Sequence, residues 1–69
     1  MQLHIGSVIR EELRQSRHTV QWFADQLCMD RSTAQRLFKK PSIDTQQLFR
    51  ISKILKKDLF RHYSDMLVM

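Results

Sequence analysis

Arginine, serine, threonine and glutamine crowd one short stretch, Arg31-Ser32-Thr33-Ala34-Gln35-Arg36. Such side chains are poor nucleophiles without a neighbouring base, but they are good readers of hydrogen-bonding edges. Arginine can pair bidentately with guanine and glutamine with adenine, each pairing contributing about 1 to 3 kcal/mol of discrimination. Ser32 and Thr33 can address a base, a thymine methyl or a phosphate oxygen. Lys39 and Lys40 follow closely, and the span Arg31 to Ile43 contains no acid. The chemistry implied is recognition of a polyanion with an ordered pattern of donors and acceptors.

Catalytic and metal-binding readings of the other polar residues are weaker. Cys28, His4, His18 and His62 have no ligand spacing and fall on different predicted elements. Cys28 has no apparent base beside it and is read as a small buried hydrophobe in packing. Asp30 and Asp44 both stand where helix caps are needed, which accounts for them without acid–base work. No enzyme activity, cofactor or metal is expected.

Elements must hold the polar stretch outward. Ile5, Val8, Ile9 and Leu13 recur at helical spacing and predict a first amphipathic helix over 5–16. Thr19 can cap a second helix whose inward stripe is Val20, Phe23, Ala24 and Leu27, with Ala24 small enough for close approach of a crossing helix. Cys28, Met29 and Asp30 form a turn, and Asp30 is placed to cap a third helix over 31–38 by accepting bonds near Ser32 and Thr33. Ala34, Leu37 and Phe38 fall on its buried face, with Arg31, Ser32, Gln35 and Arg36 opposite and Thr33 at the boundary. Two short helices joined by a tight turn, the second carrying readers, form a helix-turn-helix pattern.

Pro41 ends the third helix. Asp44 and Gln47 predict a capping box for a fourth, with Leu48, Ile51, Ser52 and Leu55 inward and an end near Lys56 and Lys57. Asp58 is expected to cap a fifth helix, whose stripe of Leu59, Phe60, Tyr63, Met66 and Leu67 leaves more apolar surface than a final helix normally turns to water. Trp22 falls just outside the stripe of helix two and is read as peripheral packing, with contact to DNA backbone or protein as the alternative. Arg50, Lys53, Lys56 and Lys57 are read as a solvated face of helix four.

Composition bounds the rest. The chain has 69 residues, 42% of them hydrophobic, with one glycine, one proline and one cysteine, which fits one small helical domain over 1–69 and no intrachain disulfide. Residues 1–30 carry three arginines against four acids, or −1, and residues 31–69 carry nine lysines and arginines against three acids, or +6, so the positive charge of the chain (net +5) lies in the part holding the polar stretch. With no long apolar run, a cytoplasmic location is expected.

These residues resemble a family. Phe23-Ala24, Leu27, the run Arg31 to Phe38, Leu48-Phe49-Arg50-Ile51-Ser52-Lys53-Ile54-Leu55 and Asp58-Leu59-Phe60 are together similar to the phage repressor and Cro-like, or XRE, transcriptional regulators, and Ser42-Ile43-Asp44-Thr45 with Ile51-Ser52-Lys53-Ile54-Leu55 looks most like small Bacteroides-type members. The resemblance runs from about Ile5 to Tyr63. It implies an all-α, five-helix lambda-repressor-like domain with the helix-turn-helix at helices two and three, helix three entering the major groove. Arg31, Ser32, Thr33, Gln35 and Arg36 would then contact bases. Thr19 and the first-turn residues Gln21 and Trp22, with Lys39 and Lys40, would contact phosphate. The chain departs from the family pattern at Cys28, which replaces a turn glycine, at Val20, which replaces a glutamine, and at Lys39-Lys40, which replaces an acidic-x-glycine.

The expectation is therefore a sequence-specific double-stranded DNA-binding regulator of repressor type. It should act as a homodimer on a palindromic operator, because one recognition helix reads too few base pairs for selectivity. Residues 58–69 are the dimerisation candidate, through Leu59, Phe60, Tyr63, Met66 and Leu67. The rival is a protein-interaction module, such as an antitoxin or adaptor, on the same fold. RNA binding is the weaker reading, since no array of stacking aromatics is visible.

Overall fold

The computed structural model describes residues 3–67. They form five α-helices: α1 (Ile5–Gln15), α2 (Val20–Gln26), α3 (Arg31–Leu37), α4 (Thr45–Leu55) and α5 (Arg61–Ser64). A 3-10 turn over Asp65–Leu67 follows, and no strand occurs among the described residues. None of these helices is long and apolar enough to cross a membrane.

Every helix but the last is built on the predicted apolar stripe. Ile5, Ile9 and Leu13 of α1, Phe23 and Ala24 of α2 with Leu27 just after it, Ala34 and Leu37 of α3 with Phe38 just after it, and Leu48, Ile51 and Leu55 of α4 lie in one buried cluster. The rings of Phe23 and Phe38 meet at 5.5 Å between centroids, tilted by 31°, and link α2 to the end of α3. Thr19 caps α2 as expected, its hydroxyl accepting from the Trp22 amide at 3.0 Å. Asp44 caps α4, accepting from the Gln47 amide at 2.7 Å. This is one half of the capping box; Gln47 returns no side-chain bond among the described residues. At the other end of α4, Lys56 takes a left-handed conformation (φ 55°) and the Lys57 amide bonds back to the Ser52 carbonyl at 3.1 Å.

The start of α1 is tied to the end of α3. The Ile5 amide donates to the Pro41 carbonyl at 3.1 Å and the Gly6 amide to the Lys40 carbonyl at 2.9 Å, so amides that a helix start leaves free find partners across the fold. Gly6 is required by this approach: a Cβ there would stand 2.5 Å from the Phe38 carbonyl oxygen and 2.6 Å from that of Leu37. His4 caps the same helix, its Nδ1 accepting from the Ser7 amide at 3.2 Å.

The fifth helix differs from expectation. Asp58 does not cap it; its backbone carbonyl only accepts from the Arg61 amide at 3.3 Å, and Phe60 holds the cap position without a side-chain bond. The cause lies in Leu59, which is fully buried, and in Ser52, whose hydroxyl donates to the Leu48 carbonyl at 2.8 Å and accepts from the Leu59 amide at 3.3 Å. Residues 58–60 are therefore a turn that tucks Leu59 into the core. Ser52, placed in the inward stripe, acts there as a polar clasp. Leu59 must accordingly be withdrawn from the dimer surface. Phe60 and Tyr63 pack half-buried against the core, and only Met66 and Leu67 of the proposed set are exposed.

Candidate nucleic-acid interface

The polar stretch is positioned by α2, the turn after it and the packing of α2 against α3. The turn bends at Cys28, which adopts a left-handed backbone (φ 55°), a conformation that favours glycine. The Met29 amide bonds back to the Ala24 carbonyl at 3.0 Å and closes the end of α2. Contrary to expectation, Cys28 is exposed: a left-handed residue at the tip of a turn points away from the core that flanks it. Ala24 is fully buried, as the close approach of the two helices requires.

Asp30 occupies the cap position of α3, yet its side chain makes no capping bond. Its backbone carbonyl alone takes up the first turn, accepting from the Ala34 amide at 3.0 Å. The carboxylate is thus limited to complementing the dipole of a short helix. The core face of α3 is Ala34 and Leu37, extended by Phe38. Opposite them, Ser32 and Arg36, four residues apart, lie at the centre of the outward face, with Arg31 and Thr33 also exposed. Gln35 is half-buried, so it presents less of its amide than expected, and Thr33, placed at the boundary, presents more. Lys39 and Lys40 are exposed just beyond the helix, where the bonds from Ile5 and Gly6 fix the chain.

Three ion pairs form among the described residues, and they leave Arg10, Arg17, Arg50, Lys53 and Lys56 unpaired as well as the cations of this region. Ion pairs join Arg14 to Glu11 at 2.6 Å, Lys57 to Glu12 at 3.5 Å and Arg61 to Asp65 at 3.9 Å. Among the described residues none involves Arg31, Arg36, Lys39 or Lys40. Four cations on and after α3 are left to solvent or to a partner.

The residues expected to grip phosphate are partly committed elsewhere. The Thr19 oxygen caps α2, leaving its hydroxyl proton free to donate. The Gln21 amide donates to Asp25 Oδ1 at 2.9 Å, one turn on in the same helix. Trp22 packs half-buried against the core, and its ring stacks on His18 at 3.6 Å between centroids and 9° between planes. The expected peripheral packing of Trp22 is thus observed, and His18 is the exposed member of the pair. Sequence periodicity carried no signal for that stack, nor for the cap at His4, a residue type not usual there.

Phe49 was also missed as a surface residue. It is 53% exposed on α4, with the Lys53 ammonium 5.6 Å from its ring centroid. Its place opposite Leu48, Ile51 and Leu55 could have been read from helical spacing. A recess of 190 Å³, lined by Ser7, Arg10, Glu11, Arg14 and Phe38, lies beside the end of α3; it is smaller than the roughly 300 to 1,000 Å³ usual for small-molecule sites. No group of three potential metal ligands converges among the described residues. In comparisons with known proteins, no family model, curated protein or solved structure matches the chain.

Proposed function

We propose that this protein binds double-stranded DNA sequence-specifically as a transcriptional regulator of repressor type, with α2 and α3 as a lambda-repressor-like helix-turn-helix and α3 in the major groove. The observation that carries the reading is the face of α3: Arg31, Ser32, Thr33 and Arg36 are exposed together, followed by Lys39 and Lys40, and its cations are unpaired among the described residues. Side chains in the first turns of a short helix are those that reach base edges in this mode of docking. Lys39 and Lys40 supply sequence-independent contact to phosphate, with Thr19 and Trp22 at the start of α2 as further backbone contacts. A dimer formed through Met66 and Leu67, flanked by Phe60 and Tyr63, would set two copies of α3 on half-sites about 34 Å apart.

Selection from a randomised duplex library at near-physiological salt tests this directly. The expected result is enrichment of a two-fold symmetric motif with half-sites one helical turn apart. Failure to enrich any sequence, with binding confined to low salt, would overturn sequence-specific recognition.

The exposure of Phe49 at 53% and Leu67 at 84% favours one second reading, a protein-interaction module such as an antitoxin or adaptor. Salt separates the two. Binding through phosphates weakens by about one decade in affinity per decade of salt for each phosphate neutralised, whereas an apolar protein interface responds little.

A further inference from the structure

The outward side of α4 has a composition that neither the core nor the DNA reading uses. Gln46, Phe49, Arg50 and Lys53 recur at helical spacing directly opposite the buried Leu48, Ile51 and Leu55, and all four are exposed. No acid occurs from Thr45 to Lys57. The helix is fixed at both ends, by the Asp44 cap and by the left-handed Lys56, so the stripe is presented on a firm rod about 16 Å long. Phe49 is not needed inside. Its ring lies open to solvent, with Lys53 above it and Arg50 next to it in sequence.

We propose that this stripe is a docking surface for an acidic amphipathic helix of a protein partner. The charge complement comes from Arg50 and Lys53, three residues apart, which match carboxylates placed three or four apart on a facing helix. The apolar complement comes from Phe49, which takes a leucine or aromatic side chain between those carboxylates and is desolvated with it. Duplex DNA satisfies only half of this pattern. Its phosphates suit the cations, but its stacked bases take a phenyl ring only against a thymine methyl or as a wedge that costs unstacking, whereas a partner helix offers an apolar side chain without that cost. The surface lies on a different helix from the α3 face and does not depend on what α3 reads.

The test titrates the isotope-labelled full chain with a synthetic helical peptide of about four turns carrying Glu and Leu on one face, following backbone amide shifts. Shifts are expected to centre on residues 45–54. Phe49→Ala should weaken binding by at least about tenfold, the effect of losing one buried aromatic contact, and Lys53→Glu should weaken it further. Both variants change exposed side chains and should keep the wild-type circular dichroism, with duplex affinity unchanged in Phe49→Ala. Shifts centred on residues 31–40 would overturn the proposal, because the peptide would then be imitating a polyanion at α3. So would equal affinity for wild type and Phe49→Ala, absence of shifts at about 1 mM peptide, or a loss of duplex affinity in Phe49→Ala that assigns the stripe to DNA.

Discussion

Among the exposed residues, Arg36 and Lys39 carry like charge and stand three positions apart, yet they are placed for different tasks. Arg36 sits at the centre of the outward face of α3, with its guanidinium in no ion pair among the described residues, while Lys39 lies beyond the last helical turn. On the proposed function, Arg36→Ala should relax preference at one base position, at a cost of about 1 to 3 kcal/mol on the preferred site and little on random DNA. Lys39→Ala should weaken all sequences alike and lower the salt slope by about one. Equal losses on specific and random duplexes for both variants would refute the division. Gly6 is a residue whose role is purely spatial. Gly6→Ala would drive a Cβ into the backbone of Leu37 and Phe38, where no flexible side chain can yield, and should destabilise the fold by about 1 to 3 kcal/mol in urea unfolding. A variant as stable as wild type would show that α1 need not approach so closely.

The elements were legible to the extent that their signals are local. The apolar stripes of α1 to α4 and the caps at Thr19 and Asp44 depend on neighbours within a turn or two, and α2 and α4 begin at the residue after each cap; α3 ends at Leu37, four residues before Pro41. The fifth helix was misread because the same spacing was satisfied in another way. Leu59 is apolar for the sake of the core, and its amide is held by Ser52 from the preceding helix, a contact no periodicity displays. Asp30 and Asp44 occupy equivalent cap positions, but only Asp44 makes the bond. Asp44→Ala should therefore cost about 1 kcal/mol and Asp30→Ala clearly less; equal losses in denaturant midpoint would show that Asp30 caps after all. At the bend between α2 and α3, Cys28→Gly should relieve a left-handed strain that slightly exceeds the entropy glycine adds to the unfolded chain, raising stability by roughly 0.5 kcal/mol. A fall in thermal midpoint would mean that the thiol makes a contribution its exposure does not suggest. The face of α3 was legible as a set of residue types, whereas the half-burial of Gln35 depends on how α3 is tilted against its neighbours.

For the molecule as a whole, the question is how many copies act together. The stripe read at the C-terminal end divides into Leu59, which is fully buried, Phe60 and Tyr63, which are half-buried, and Met66 and Leu67, which are exposed. The apolar surface left for a partner is therefore smaller than the sequence suggested, and a dimer formed through it should be weak in the absence of DNA. Sedimentation should show a concentration-dependent monomer–dimer equilibrium, and Leu67→Glu should shift it to monomer without loss of helicity. A monomer at every concentration up to the millimolar range would remove the two-fold model. In contrast, Leu59→Glu should unfold the chain outright, since it buries a charge without a partner.

The bonds from Ile5 and Gly6 to the carbonyls of Pro41 and Lys40 also make two amides into reporters of the whole structure. Amides at the start of a helix ordinarily exchange with solvent deuterium almost freely, because nothing inside the helix holds them. Here they are held by a segment on the far side of the third helix, so they can exchange only when the beginning and the middle of the chain part company. Slow exchange at positions 5 and 6, in step with the slowest core amides, is what cooperative unfolding of α1 with α3 would produce. Any ligand that stabilises the folded chain should slow those two amides by the same factor as the core, even where it touches neither.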